Sequence, residues 1–535
     1  MTPVLEVTDL DIALPGGADR QYAVSGLNFD VHKGETLCVI GESGSGKSLT
    51  GKAILRLLPK PHVRVAQGRI LFEGTDLVQI GDESIRKIRG NAISMIFQEP
   101  MTALNPVLTI GRQIEEVLIE HTRMSRPERW KRMREILTET NLPDPERILN
   151  SYPHQLSGGQ RQRAMIAMAL ILEPKLIIAD EPTTALDVTT QAQILRLMKQ
   201  IQERHGTGLL FITHDFGVVS EIADRVIVME RGRAVESGPV GDVLHAPKHP
   251  YTQSLMAAVP SLSPKPRNRT SGQGAPNAPT LVAVENVSKT YPLMGGGSMK
   301  AVDNVSLRLG VGETLGIVGE SGSGKSSLAR LLLRLSEPDE GTIRLDGTDL
   351  LALNRSQLRS KRHLFQVVFQ DPYGSLNPRW TVGRIIGEGL RLRNEPQRKV
   401  LEKSEAMIDL VGLDRKALSR FPHEFSGGQR QRIAIARALI MDPKLLIADE
   451  AVSALDVSVQ AQILELLDEI KKRLNLSMIF ITHDLRVAAN ICDTIMVMQS
   501  GRVVESGPVE TIFKAPQQEY TQRLFAAVPG RLTTD

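Results

Sequence analysis

Apolar residues fall into two alternating patterns along this chain. Short runs dense in Val, Ile and Leu, at 36–40, 176–179, 209–213, 314–318, 445–448 and 478–482, read as buried strands. Continuous apolar runs of this length, bounded by turn residues, fit strands covered on both faces. Between them lie stretches in which apolar residues return every three or four positions, the spacing that lines one side of a helix. This alternation predicts an α/β fold with a largely parallel sheet. Two stretches depart from it, from about Pro106 to Pro153 and from about Pro378 to Pro422. Both are charged and helical in pattern, which predicts a helical subdomain inserted into each α/β core.

The whole pattern occurs twice. Gly41, Glu42, Ser43, Gly44, Ser45, Gly46, Lys47 and Ser48 recur as Gly319, Glu320, Ser321, Gly322, Ser323, Gly324, Lys325 and Ser326, each copy followed by the same later motifs in the same order. At 535 residues the chain also exceeds what one hydrophobic core organises. Two tandem P-loop α/β domains are expected, at 1–260 and 281–535. Between them, 261–280 is rich in Pro, Ser, Gly and Asn and reads as a flexible linker. Each half closes on a further repeat, Ala246 to Gln253 answering Ala515 to Gln522, both carrying Tyr-Thr-Gln ahead of an apolar helix. From sequence this reads as a turn and a capping helix.

Both copies of the first motif fit G-x-x-x-x-G-K-[ST]. Its glycines let successive backbone N–H groups curl around phosphate, while the Lys supplies a point charge and the Ser a Mg²⁺ ligand. Each copy follows a predicted strand and opens a predicted helix, whose N-terminus favours an anion. Further along, Asp180-Glu181 and Asp449-Glu450 end buried strands. Successive strand side chains point to opposite sides, so the two acids are expected to divide their roles. The first suits Mg²⁺, and the second suits orienting and polarising an attacking water. Ser157, Gly158, Gly159 and Gln160, like Ser426, Gly427, Gly428 and Gln429, each open an apolar helix and offer a second anion site. A plain N-cap is the structural alternative. Arg161, Arg163, Arg430 and Arg432 place positive charge where the helix dipole disfavours it, so an anionic partner or nearby acids are expected to offset the cost.

This motif set resembles the ATP-binding subunits of ABC transporters over nearly the whole chain apart from the linker. The resemblance implies ATP and Mg²⁺ as cofactors. It makes Gln98 and Gln370 the Q-loop glutamines, which would join Ser48, Asp180, Ser326 and Asp449 at the metal. It makes Leu156 to Gln160 and Phe425 to Gln429 the signatures, Ala185-Leu186-Asp187 and Ala454-Leu455-Asp456 the D-loops, and His214 and His483 the switch histidines. By the same resemblance the halves pair head to tail, each ATP lying between one half's phosphate loop and the other half's signature. The stretches Gln98 to Pro106 and Gln370 to Pro378, with the Tyr-Thr-Gln tails, are similar to the oligopeptide/dipeptide importer branch. That implies two integral-membrane permease subunits, a periplasmic substrate-binding protein and a place on the cytoplasmic face of the bacterial inner membrane. Met101 and Tyr373 are expected on the surface that receives the permeases.

The halves also differ. The family places an aromatic ring against adenine, which is Tyr291 in the second half, whereas the first half has Leu14 there and Tyr22 farther along. Ala451-Val452 follow Glu450 where Pro182-Thr183 follow Glu181, and the loss of Pro predicts an altered geometry at the second site.

Composition narrows the alternatives. A formal charge of +4 gives no electrostatic footprint of nucleic-acid binding. A soluble tandem ATPase working on ribosomes or DNA is further disfavoured by the short Pro/Gly-rich linker and the near absence of cysteine. A scaffold that binds ATP without hydrolysing it is disfavoured by Glu181 and Glu450. The cysteines, Cys38 and Cys492, are expected to be reduced and buried, and two cannot ligate an iron–sulfur cluster. No apolar run approaches a membrane span, and the start lacks signal-peptide character, so the chain is expected inside the cell.

Overall fold

The computed structural model describes residues 2–184, 186–264, 279–292, 297–453 and 455–530. They divide into two compact units, with the main boundary between Ala258 and Val259. Most of the expected linker, residues 265–278, lies outside the described residues.

In the first unit a six-stranded sheet runs in the order Arg233–Pro239, Arg225–Glu230, Thr36–Ile40, Gly208–Thr213, Leu176–Asp180, Ile93–Ile96. All neighbours are parallel except the first pair, an antiparallel hairpin at the edge. The second unit repeats this with Phe365–Val368, Leu445–Asp449, Ser477–Thr482, Thr314–Val318, Thr494–Gln499 and Arg502–Pro508. The continuous apolar runs are buried throughout, as expected of strands covered on both faces.

Each unit also carries a four-stranded antiparallel sheet that the apolar pattern did not predict. It is ordered Tyr22–Val31, Leu5–Ala13, Arg64–Phe72, Thr75–Asp76 in the first unit, and Ser298–Gly310, Thr280–Pro292, Glu340–Leu345, Thr348–Asp349 in the second. A bulge hid it. Leu5 and Val7 are buried, then the pairing register shifts and Leu10 and Ile12 are buried, with Asp9 at φ 48° between them. The second unit does the same around Asn286, at φ 51°. One extra residue moves the alternation out of phase and erases the period of two.

The inserted helical subdomains form as expected. Ile110–His121, Arg126–Glu139 and Pro145–Asn150 lie in the first unit, and Val382–Arg391 and Gln397–Leu410 in the second. Their starts carry local signals: Thr109 accepts from Arg112 N–H, and Glu128 accepts from Ser125 N–H at 2.6 Å. Their apolar sides, including Ile114, Leu118, Ile136, Ile385 and Val400, are buried. Among the described residues no helix is long and apolar enough to cross a membrane.

Candidate functional site

Four strand ends converge in each unit. The phosphate loop follows Thr36–Ile40, Asp180 and Glu181 stand at the end of Leu176–Asp180, His214 follows Gly208–Thr213, and Gln98 follows Ile93–Ile96. These four strands are parallel neighbours, so their carboxyl ends share one edge, the place where open α/β sheets bind ligands.

The phosphate loop is held by its backbone. Gly41 and Gly46 adopt φ 152° and 101°, and a Cβ would come within 2.2 Å of the Met229 carbonyl oxygen at Gly41 and 2.7 Å of Ala23 O at Gly46. Gly46 then caps the helix Lys47–Ile54 without a side-chain hydrogen bond, so nothing on that residue crowds the N-terminal amides. Lys47 Nζ donates to Gly41 O at 2.6 Å and to Glu42 O at 2.9 Å, curling back over its own loop. In the second unit Lys325 donates to Gly319 O at 2.8 Å and Glu320 O at 2.7 Å.

The two carboxylates of each pair take different partners. Ser48 Oγ donates to Asp180 Oδ1 at 2.8 Å, and Ser326 Oγ to Asp449 Oδ1 at 3.3 Å, bringing together a hydroxyl and a carboxylate. The glutamates turn elsewhere. Glu181 accepts from Gln98 Nε2 and Thr184 Oγ1, both at 2.9 Å, and lies 3.2 Å from His214 Nδ1. Glu450 accepts from Gln370 Nε2 at 2.7 Å and lies 3.5 Å from His483 Nδ1.

The surroundings push the paired acids in opposite directions. Burial raises Asp180 and Asp449 above the usual carboxylate range, more than the serine hydrogen bonds and nearby lysines offset. Burial works in the same sense on Glu181 and Glu450, but their histidines, together with Lys47 or Lys325, outweigh it and hold both below that range. His483 is raised because Glu450 and Asp484 outweigh its own desolvation. Each glutamate is thus ionised near neutral pH, beside an aspartate that burial makes harder to ionise.

The expected change of geometry at the second site does not extend to the φ of the glutamate itself. Glu181 and Glu450 take the same left-handed conformation, φ 47° and 49°, and each donates its N–H to a neighbouring strand at 2.9 Å. The difference lies three residues on. Thr184 donates to the Glu181 carboxylate, whereas Ser453 turns its hydroxyl to the Glu450 carbonyl oxygen at 3.0 Å.

The signature serines act as N-caps in their own units. Ser157 accepts from Gln160 N–H at 3.2 Å, Ser426 accepts from Gln429 N–H at 3.4 Å, and each glutamine returns the bond. Their two glycines differ. A Cβ on Gly159 or Gly428 would meet Thr190 at 2.7 Å or Val459 at 2.3 Å, so close helix packing requires those positions to be Gly. Gly158 has open space, and Gly427 meets only Leu455, at 3.7 Å. The arginines beyond find neutral partners rather than acids. Arg163 donates to Asn141 O, Arg432 to Val411 O, and Arg430 to Pro422 O. Arg430 also stacks 3.6 Å from the centre of the Tyr373 ring, and Arg161 donates to the Met101 sulfur. Met101 and Tyr373 are 54% and 64% exposed.

Strand register makes Leu14 the counterpart of Tyr291. Ala13 pairs with Tyr22 and Leu14 N–H donates to Gln21 O, while Thr290 pairs with Lys300 and Tyr291 with Met299. Leu14 packs against the core of its unit, and Tyr291 lies beside Lys289 Nζ, 5.7 Å from its ring centre. Arg20, between Leu14 and Tyr22, donates to the Gly44 carbonyl oxygen of the phosphate loop. Of the D-loops, Ala185 and Ala454 lie outside the described residues, and Asp187 caps Val188–His205 by accepting from Thr190 N–H at 2.9 Å. Cys38 and Cys492 are both buried, as expected, and burial pushes the Cys38 thiol far up.

Sequence reading missed one pair of residues at this site. Tyr251 and Tyr520, from the C-terminal repeats, reach the phosphate loops: Glu42 N–H donates to Tyr251 Oη at 3.4 Å, and Glu320 N–H to Tyr520 Oη at 3.2 Å. The exact recurrence of Tyr-Thr-Gln was the available signal.

Known proteins carry the same organisation. The profile of the ABC transporter family matches residues 24–184 and 302–453, and that of the oligopeptide/dipeptide transporter C-terminal region matches 235–283 and 504–531. The peptidoglycan transport ATP-binding protein YejF of Agrobacterium fabrum is 46% identical over 534 residues, spanning 98% of this chain and 96% of that protein. The glutathione import ATP-binding protein GsiA is 45% identical in Salmonella choleraesuis and 44% in Escherichia coli K12, each spanning 98% of this chain and 89% of the relative. With two phosphate loops, two carboxylate pairs and two matches to one profile, this chain belongs to the ABC transporter family, as an ATPase subunit carrying two ATP-binding cassettes.

Proposed function

We propose that the two units form two composite ATP sites, head to tail, and that ATP turnover there drives import of small peptides. One site would join Lys47, Ser48, Gln98, Asp180, Glu181 and His214 to Ser426, Gly427 and Gly428. The other would join Lys325, Ser326, Gln370, Asp449, Glu450 and His483 to Ser157, Gly158 and Gly159. The observation that carries this reading is a division within each unit. Gln, Ser, Asp, Glu and His gather around the phosphate loop, while the signature presents an unobstructed glycine at a helix start.

In this scheme Glu181 and Glu450 take a proton from the attacking water, held in place by Gln98 and Gln370 and kept ionised by His214 and His483. The oxygen donors of Ser48, Gln98 and Asp180, and of Ser326, Gln370 and Asp449, suit Mg²⁺, a hard cation. When bound it would neutralise phosphate charge and offset the burial of Asp180 and Asp449. The γ-phosphate favours the closed pair, and its loss on hydrolysis favours opening.

Two permease subunits and a periplasmic substrate-binding protein would complete the transporter at the cytoplasmic face of the inner membrane. The match to the oligopeptide/dipeptide C-terminal region favours a peptide substrate. Relatives named for peptidoglycan transport and glutathione import define two readings, a cell-wall peptide and glutathione. Pull-down of the tagged chain should recover two integral-membrane subunits, and deletion should abolish uptake of one labelled peptide class. Recovery with ribosomes or DNA instead would overturn the proposal.

A further inference from the structure

We infer that the C-terminal region of each unit braces that unit's own phosphate loop, with Tyr251 and Tyr520 as positioning residues for ATP binding. The contact is long-range in sequence, across 209 residues in one unit and 200 in the other, and it occurs in both. In each, the phenol oxygen accepts the N–H of the second loop residue, Glu42 or Glu320.

That residue is held from two sides. Its carbonyl oxygen takes the loop lysine, Lys47 at 2.9 Å or Lys325 at 2.7 Å. To neutralise phosphate the lysine turns from loop carbonyls towards the ligand, which loosens the carbonyl side and leaves it only Ser45 N–H at 3.1 Å or Ser323 N–H at 3.2 Å. The tyrosine tie involves neither the loop lysine nor the amides that open the following helix, and it holds the peptide while the lysine changes partner. A loop already fixed in its binding shape loses less conformational freedom when the ligand arrives.

The tyrosines are themselves fixed. Glu236, on the edge strand Arg233–Pro239, accepts from Lys248 N–H at 2.7 Å and His249 N–H at 3.2 Å, just ahead of the helix Pro250–Ala258. Glu505, on Arg502–Pro508, accepts from Gln517 N–H at 2.9 Å and Gln518 N–H at 3.3 Å, ahead of Glu519–Ala526. Thr252 and Thr521, next to the tyrosines, are fully buried. A carboxylate on the sheet therefore sets the turn, the turn sets the helix, and the helix delivers the hydroxyl. Burial, aided by Glu42 and Glu230, pushes the Tyr251 phenol up to about 12, so it stays neutral and bears a lone pair towards the N–H at physiological pH.

This assigns a role to the region that the oligopeptide/dipeptide profile matches, and it rests only on the ATPase activity of the family. Tyr→Phe keeps the ring and its packing and removes the acceptor. In the full chain, Y251F/Y520F should raise the KM for ATP about three- to tenfold and leave kcat within about twofold of wild type, the signature of lost binding without lost chemistry. The thermal unfolding midpoint should not move. Each single variant should split titration with a fluorescent ATP analogue into one unaltered and one weakened class. A KM unchanged in the double variant, or a KM rise accompanied by a lower unfolding midpoint, would overturn the proposal.

Discussion

Glu181 and Glu450 sit in a backbone region that costs a non-glycine residue about 1–3 kcal/mol, and the chain keeps that cost in both units. The left-handed turn carries each glutamate out of the strand direction followed by Asp180 and Asp449, so adjacent acids serve different partners. The identity of these acids was legible in the sequence; the positive φ was not, because nothing in Asp-Glu announces it. The hydrogen bonds also set the charge. Burial alone would raise both glutamates, and the histidines, with Thr184 and Lys47 in the first unit and Lys325 in the second, reverse that. Replacing His214 and His483 with Ala removes the largest influence that lowers these acids, so the pKa of each glutamate rises. The base works deprotonated, so the acid limb of the residual ATPase rate should move to higher pH, read from a rate–pH profile. An unmoved limb would show that the histidines do not govern these acids. At the adenine side, Leu14→Tyr should tighten ATP binding in one of two classes, since a ring adds stacking of roughly 0.5–1.5 kcal/mol beyond area burial. Equilibrium titration with ATP checks it.

At the scale of elements, the parallel strands and inserted helices were legible because their hydrophobic periods run uninterrupted. The antiparallel sheets were not, because Asp9 and Asn286 break the alternation midway. A quieter difference between the units lies in the strand before the phosphate loop. Cys38 and Gly316 occupy the same strand position, and Ala223 and Cys492 each precede an aspartate, Asp224 or Asp493, that accepts the N–H of the strand's first residue. The larger side chain has changed places. A Cβ on Gly316 would lie 2.6 Å from Cys492 Sγ. Overpacking of this kind costs about 1–3 kcal/mol, so Gly316→Ala should lower the unfolding free energy by that amount and Cys492→Ala, added to it, should restore most of the loss. Denaturant unfolding of the single and double variants measures both. The helix starts matter beyond their own unit. Arg430 ties the signature helix to Tyr373 and Arg161 ties its counterpart to Met101, so an exposed surface beside each Q-loop glutamine is joined to a signature. Tyr373→Ala should therefore reduce transport while sparing basal hydrolysis, measured in membranes and with the isolated chain. Unaffected transport would remove this surface from the coupling path.

At the scale of the whole molecule, duplication makes each unit a control for the other. Every polar group expected around the phosphate loops is present twice with closely similar partners, and the exceptions are few: Leu14 for Tyr291, and Thr184 on a carboxylate where Ser453 bonds a carbonyl. The motif inventory was legible because one chain shows it two times; the Tyr251 and Tyr520 contacts were not, because bonds across some two hundred residues leave only a repeated tripeptide behind. If each phosphate loop works with the other unit's signature, losing either base should stall a shared cycle. Glu181→Gln and Glu450→Gln should then each reduce ATP turnover at least tenfold, about 1.4 kcal/mol or more in the barrier, while ATP still brings the units together. The conserved backbone at 181 and 450 argues for two competent sites, and the missing Thr184-type bond argues for a milder loss with Glu450→Gln. Turnover and ATP-driven closure unchanged in Glu450→Gln but abolished in Glu181→Gln would instead make the second site regulatory, since its base would be dispensable.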